Sequence, residues 1–301
     1  MDRRVGGIDA SRFCLGTIGF SYQDWAGVFY PERVRTERRL SWYAERFGTV
    51  ELDTTFYGMP TVERVKKWAG VVPEGFRFSL KMFREVTHEG VVGSPASIGL
   101  AREFVEVVRR FEGKLGAVLI QFPPSFTAVR REDLLRLLDA LPALGSDASA
   151  GEVRYAVELR HDSWWSEVTV AQLRERGIAW VGLDQPTVAV AGLSPDDERQ
   201  GGNLHAPRPV IVTSDFLYMR WCGNHGQIPT NDRELVDPTP RLRWWVQRLE
   251  PVMSGGVVGE VLGYFGNSYS GHAPLACRRM MGLLGMAVPE AEVEQQGGLF
   301  G

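Results

Sequence analysis

Tyr155-Ala156-Val157-Glu158-Leu159-Arg160 alternates between apolar and polar residues, and its two faces differ in character. Side chains alternate sides along a β-strand, so Tyr155, Val157 and Leu159 share one face while Ala156, Glu158 and Arg160 share the other. The same pattern recurs in Thr49–Asp53, where Glu51 and Asp53 oppose Val50 and Leu52, and in Arg77–Lys81, where Ser79 and Lys81 oppose Phe78 and Leu80. In Phe216–Trp221, Tyr218 and Arg220 oppose Leu217 and Met219. Gln121 closes Ala117–Gln121, and Asp184 closes Ile178–Asp184. With Phe13–Ile18 and Val261–Phe265, these runs make eight strand candidates.

Amphipathic stretches separate them: Thr36–Phe47, Val62–Val71, Ala96–Phe111, Arg131–Leu141, Trp164–Arg176, Pro240–Leu249 and Pro274–Leu284. Strand and helix alternating along a chain predict a parallel sheet, and eight such units in roughly 250 residues match a barrel. The expected fold class is α/β, a single (β/α)8 TIM-type barrel over residues 1–288, with residues 289–301 as a polar, flexible tail. A doubly wound open sheet is the rival, but no Gly-x-Gly-x-x-Gly follows the first strand. The Gly/Pro-rich segment Pro186–Ser214 is expected to be a long excursion, and Leu144–Glu152 a surface loop.

The polar set is read as inward-facing and late in each strand, where barrel enzymes hold their chemistry. Structural ion pairs closing the barrel are the bland alternative, but agreement over six strands favours a functional cleft. The expected catalytic set is Glu51, Lys81, Glu158, Arg160, His161, Asp184 and Arg220. Glu51 and Glu158 are candidate general acid or base. His161 reads equally as a proton shuttle or as the start of a helix before Asp162 and Ser163. Tyr22 and Trp25 sit in an aromatic loop after the first strand and are candidate ligand contacts, whereas Arg33, Arg35, Arg38 and Arg39 read as a solvated helix face. Asp53, Tyr57, Gln121, His225 and Asn267 complete the expected substrate-binding set.

At these residues the chain resembles the YecE-like family, also called domain of unknown function 72. The similarity rests on Gly19–Pro31 (GFSYQDWAGVFYP), Val50–Pro60 (VELDTTFYGMP), Phe76–Glu89, Leu119–Phe126, Ala156–Trp164, Tyr218–Gly223 and Gly263–Cys277. The resemblance implies a TIM-type barrel and supplies no reaction. Two positions depart from the family pattern. Its Arg-Leu-His-Gly reads Arg220-Trp221-Cys222-Gly223, with His225 a candidate replacement for the imidazole, and its paired asparagines read Gly266-Asn267.

Charge narrows the chemistry. Lys81, Arg160 and Arg220 nearly balance Glu51, Asp53, Glu158 and Asp184, so no metal is required for neutrality. A divalent metal stays open through His88, His161 or His225 with Glu158 or Asp184. The cations point to an anionic substrate group, phosphate or carboxylate. Cys14, Cys222 and Cys277 lack ligand spacing, which argues against a zinc site or a disulfide framework. A net charge of -3 argues against a general polyanion-binding surface. The start lacks an apolar leader and no run reaches membrane-spanning length, so a cytoplasmic protein without membrane partners is expected. Gln296-Gly297-Gly298-Leu299-Phe300 resembles the Gln-x-x-Leu-Phe peptide that docks on bacterial DNA sliding clamps, which makes Gln296, Leu299 and Phe300 candidate partner contacts. Three functions follow: a hydrolase-like enzyme on a phosphate-bearing substrate, nucleic acid included; a metal-independent enzyme on a carbohydrate or small polar metabolite; or a non-catalytic ligand-binding barrel.

Overall fold

A computed structural model describes residues 4–5, 8–142, 153–186, 192–200, 209–224 and 226–288. The barrel strands are β1 (Phe13–Ile18), β2 (Thr49–Leu52), β3 (Arg77–Lys81), β4 (Leu115–Gln121), β5 (Tyr155–Glu158), β6 in two pieces (Ala179–Trp180 and Gly182–Asp184), β7 (Phe216–Trp221) and β8 (Glu260–Phe265). Each pairs in parallel with the next in the chain. β8 then pairs with β1, Val261 opposite Phe13 and Phe265 opposite Thr17, which closes the ring and rules out the open sheet. The break in β6 falls at Val181, whose amide still bonds to the Val157 carbonyl at 3.0 Å. The fold is the expected (β/α)8 barrel.

Helices follow the strands: α1 (Arg39–Ala44), α2 (Val62–Gly70), α3 (Pro95–Val108), α4 (Arg131–Ala140), α5 (Glu167–Glu175), α6 (Pro195–Gln200), α7 (Thr239–Ser254) and α8 (Ala273–Leu283). Their starts are chemically marked. Thr61 caps α2 by accepting from the Arg64 amide at 3.2 Å, and Ser94 caps α3 with Pro95 in its first turn. The excursion after β6 carries the six-residue α6, started by reciprocal bonds between Ser194 and Asp197. Leu144–Glu152 lies outside the described residues.

Apolar side chains pack on both sides of the ring. β4 (LGAVLIQ) is buried throughout, as a strand covered on both faces must be. The interior holds Ile18, Leu119, Ala156, Val181, Phe216, Tyr218, Leu262 and Tyr264. Midway up, Tyr264 donates to Ser79 Oγ at 2.7 Å and shares a bond with Thr49 Oγ1 at 3.0 Å. Ser79 Oγ also accepts from the Ala117 amide at 3.1 Å, where the β3–β4 register shifts. Gly16 on β1 is dictated by space, because a Cβ there would lie 1.8 Å from the Thr49 carbonyl oxygen.

The parity reading is corrected at one residue. Ala179 and Val181 point inward, so Asp184 shares the outer face with Trp180 and Gly182. It is fully buried against α7, where Arg241 Nε reaches both carboxylate oxygens at 3.0 and 2.8 Å and Nη2 reaches Oδ1 at 2.8 Å. Trp245 Nε1 and the Tyr269 hydroxyl complete its shell at 2.7 and 3.0 Å. Asp184 therefore ties a helix and a loop to the barrel wall and takes no part in the cleft. Changing Asp184 to Ala removes the carboxylate that the buried Arg241 Nε and Nη2 bond to. It is expected to cost about 3–5 kcal/mol of stability, measured by urea unfolding.

Candidate active site

At the carboxyl ends of the strands the interior turns from apolar to charged. Arg220, from β7, is 5% exposed and sits between two buried glutamates, Glu51 of β2 and Glu158 of β5. Its Nε and Nη2 donate to Glu51 Oε2 and Oε1 at 3.0 and 2.9 Å, a bidentate pair. Its Nη1 donates to Glu158 Oε2 at 2.6 Å and to Gln121 Oε1 at 3.2 Å. The Tyr218 hydroxyl donates to Glu51 Oε2 at 2.8 Å, and Arg160 Nε donates to Glu158 Oε1 at 2.6 Å. All four carboxylate oxygens of the two glutamates thus accept charge-assisted or hydroxyl hydrogen bonds.

This wiring decides their protonation chemistry. Burial alone would raise the Glu158 carboxyl, but Arg160 and Arg220 outweigh it and hold it at about 2. Glu158 is therefore ionised at neutral pH and is unsuited to act as a general acid. Lys81 behaves differently. Burial, reinforced by Arg220 and opposed by Glu51 and Glu158, brings its ammonium down to about 8. Its Nζ lies 3.8 Å from the Phe56 ring centroid, and among the described residues no carboxylate pairs with it. His88 packs edge-on to Phe56 and is lowered to about 4, by burial first and by Lys81 and Arg160 next, so it is neutral at pH 7. Burial pushes the Cys222 thiol up to about 11, so it is no ready nucleophile.

Above this network lies a cleft of about 300 Å³. Of the expected residues, Tyr22, Asp53, Tyr57, Lys81, Gln121, Arg160, Arg220 and Asn267 line it, while Glu51 and Glu158 form its buried base. Three expectations fail on position. Trp25 is fully buried, edge-on to Phe29 and His272 and tilted against Tyr22, with Nε1 donating to Asn267 Oδ1 at 3.2 Å; it supports the loop rather than lining the cleft. His161 caps the short helical turn Asp162–Trp164, its Nδ1 accepting from the Ser163 amide at 3.1 Å, so the helix-start reading holds. Asp184 lies on the outer face, as described above. Arg39 also departs from the solvated face assigned to it. It is 5% exposed, bonded to the Tyr22 carbonyl at 3.1 Å and set over the Tyr30 ring.

Sequence reasoning missed Phe56, Gln185 and Asn231, which also line the cleft. Gln185 directly follows a strand end, a signal within reach. Asn231 belongs to an irregular loop with no periodicity, anchored by its amide and Nδ2 to Asp24 at 3.1 and 3.0 Å. Among the described residues no three His, Cys, Asp or Glu side chains converge to hold a metal ion. His225 and the tail residues Gln296, Leu299 and Phe300 lie outside the described residues. No described helix is long and apolar enough to cross a membrane.

The fold and site define a (β/α)8 barrel with a charged cleft at the carboxyl ends of its strands. Residues 14–297 match the family model described as "Protein of unknown function DUF72", and the chain belongs to that family. It is 27% identical over 222 residues to UPF0759 protein YecE of Escherichia coli (strain K12), covering 71% of this chain and 77% of the relative. It is 26% identical over 182 residues to UPF0759 protein YunF of Bacillus subtilis (strain 168), covering 58% and 61%. In structure it is similar to a DUF72 family protein of Enterococcus faecalis V583, with a TM-score of 0.67 at 22% identity over 94% of this chain and 99% of that one. A DUF72 family protein of Thermotoga maritima MSB8 aligns with a TM-score of 0.63 at 26% identity, over 90% and 98%.

The depressed carboxyl of Glu158 sets a pH dependence. A group whose folded value lies below its ordinary 4.5 adds stability above that value and loses it as pH falls toward about 2. The wild type is expected to lose stability on the order of 3 kcal/mol through this window. Glu158→Gln should start lower and show a flatter acid limb in calorimetric melting.

Proposed function

We propose that this barrel is a hydrolase-like enzyme acting on a small substrate held through an anionic group, phosphate before carboxylate. The observation that carries this reading is Lys81. It is a cleft ammonium with no carboxylate partner among the described residues, beside the Arg160 guanidinium and above an ion network that is already satisfied. Arg160 also lines the cleft, and a planar guanidinium fork suits phosphate oxygens. A cleft of about 300 Å³ is at the small end of ligand sites and fits a metabolite better than a polymer.

Lys81 is also the cleft's best acid–base group, because a value of about 8 lies close to neutral pH. In ester hydrolysis, water adds to the phosphorus and the ester P–O bond breaks. The departing oxygen takes the Lys81 proton, and the Lys81 amine recovers one from the attacking water. Glu158 and Glu51 act beneath this as a fixed negative layer that orients Arg220. The buried pair sharing Arg220 leaves little room for the two independent carboxylates of a glycosidase.

Calorimetric titration with inorganic phosphate tests the reading. Affinity should weaken as pH rises through about 8, where Lys81 loses its charge. Lys81→Met should lower affinity at neutral pH roughly tenfold or more. Equal binding by Lys81→Met and Arg160→Met would remove the proposal. Binding of phosphate monoesters without turnover would leave a ligand-binding barrel and discard the hydrolase.

A further inference from the structure

Amides also line the cleft, Gln121 on the strand between those that carry Lys81 and lead to Arg160, and Asn231 and Asn267 on loops, and the hydrogen bonds they already make force their orientations. Gln121 Oε1 accepts from Arg220 Nη1, and because arginine only donates, the Gln121 Nε2 donor points elsewhere. It has no partner among the described residues. Asn267 is 7% exposed, and its Oδ1 accepts from both Trp25 Nε1 at 3.2 Å and the Ala273 amide at 3.1 Å. Two donors on one atom identify it as oxygen, which leaves Nδ2 as a buried donor with no partner among the described residues. Asn231 is fixed the opposite way. Its Nδ2 donates to Asp24 Oδ2 at 3.0 Å, so its Oδ1 is an acceptor with no partner among the described residues.

A buried donor without an acceptor is a standing desolvation cost that a ligand can remove. The cleft thus offers two unmet donors and one unmet acceptor, apart from its cations. A carboxylate or a fully ionised phosphate ester only accepts, so it can satisfy the donors but not Asn231 Oδ1. A hydroxyl both donates and accepts, and several on one carbon frame satisfy all three. At the mouth, the Tyr57 ring is 72% exposed and supplies a flat apolar surface for the C–H face of such a frame.

The geometry points to a sugar phosphate as the ligand class of this cleft, its phosphate on Lys81 and Arg160 and its hydroxyls on Gln121, Asn231 and Asn267. This rests on the anionic-group reading above and adds the identity of the remainder of the ligand.

The test titrates the full chain with inorganic phosphate, a hexose 6-phosphate, a pentose 5-phosphate, the free sugars and a short single-stranded oligonucleotide. One of the sugar phosphates should bind at least roughly tenfold more tightly than inorganic phosphate, a gain of about 1.4 kcal/mol. Asn267→Asp keeps the acceptor for Trp25 and Ala273 but removes the donor. It should bring the ratio of sugar phosphate to phosphate affinity close to one. Gln121→Met reads the second donor and serves if Asn267→Asp fails to fold. Sugar phosphates binding no better than phosphate would overturn this inference and leave the anionic-group reading standing. Absence of binding by phosphate and sugar phosphates alike would overturn both. An oligonucleotide binding more tightly than any sugar phosphate would overturn the sugar in favour of a polymer.

Discussion

The guanidinium of Arg220, clamped between Glu51 and Glu158, is the interaction on which the site depends. It lies in the barrel interior, with tyrosines and aliphatic side chains below it and the cleft above. Three charges taken out of water are tolerated there only because almost every donor and acceptor among them is used. That same satisfaction removes Glu158 from acid catalysis and orders the layer on which a ligand rests. The chemistry is displaced outward, to Lys81 and Arg160, which line the cleft above it.

Strand parity was enough to assemble most of this from residue order. Glu51, Lys81, Gln121, Glu158 and Arg220 converge because each ends an inward-facing row, and alternation makes such rows visible. Asp184 failed by the same rule, because a lone polar residue at the end of an apolar strand was grouped by chemistry rather than by its neighbours. Ala179 and Val181 would have placed it outside. The resemblance to DUF72 proteins agreed with the closed ring, and the pairing of β8 with β1 shows it directly.

The loops were less legible. Trp25 looked like a mouth aromatic but is drawn beneath the loop by Phe29 and His272, a tertiary preference that local composition does not carry. Arg39 looked like a solvated cation but is held by a backbone carbonyl and a tyrosine ring. Asn231 reaches the cleft on a loop held by Asp24, more than two hundred residues earlier, and by His272. Contacts of that sequence separation have no local periodicity to announce them. His161 shows the reverse case, since the cap reading was available from Asp162 and Ser163 and proved to be the structural one.

The ring's closure has a consequence for how the chain comes to be folded. The charge cluster draws on strands 2, 5 and 7, with Glu51 and Arg220 separated by 169 positions. Until β7 has docked, Glu51 lacks the guanidinium it pairs with and Glu158 has only Arg160, so burying the two carboxylates costs more than in the finished network. Arg220 is thus the partner that lets two carboxylates leave water together. Contacts so distant in the chain are slow to find. Capture of the carboxylates by Arg220 needs β7 in place, and the ring itself closes only one strand later, when β8 meets β1.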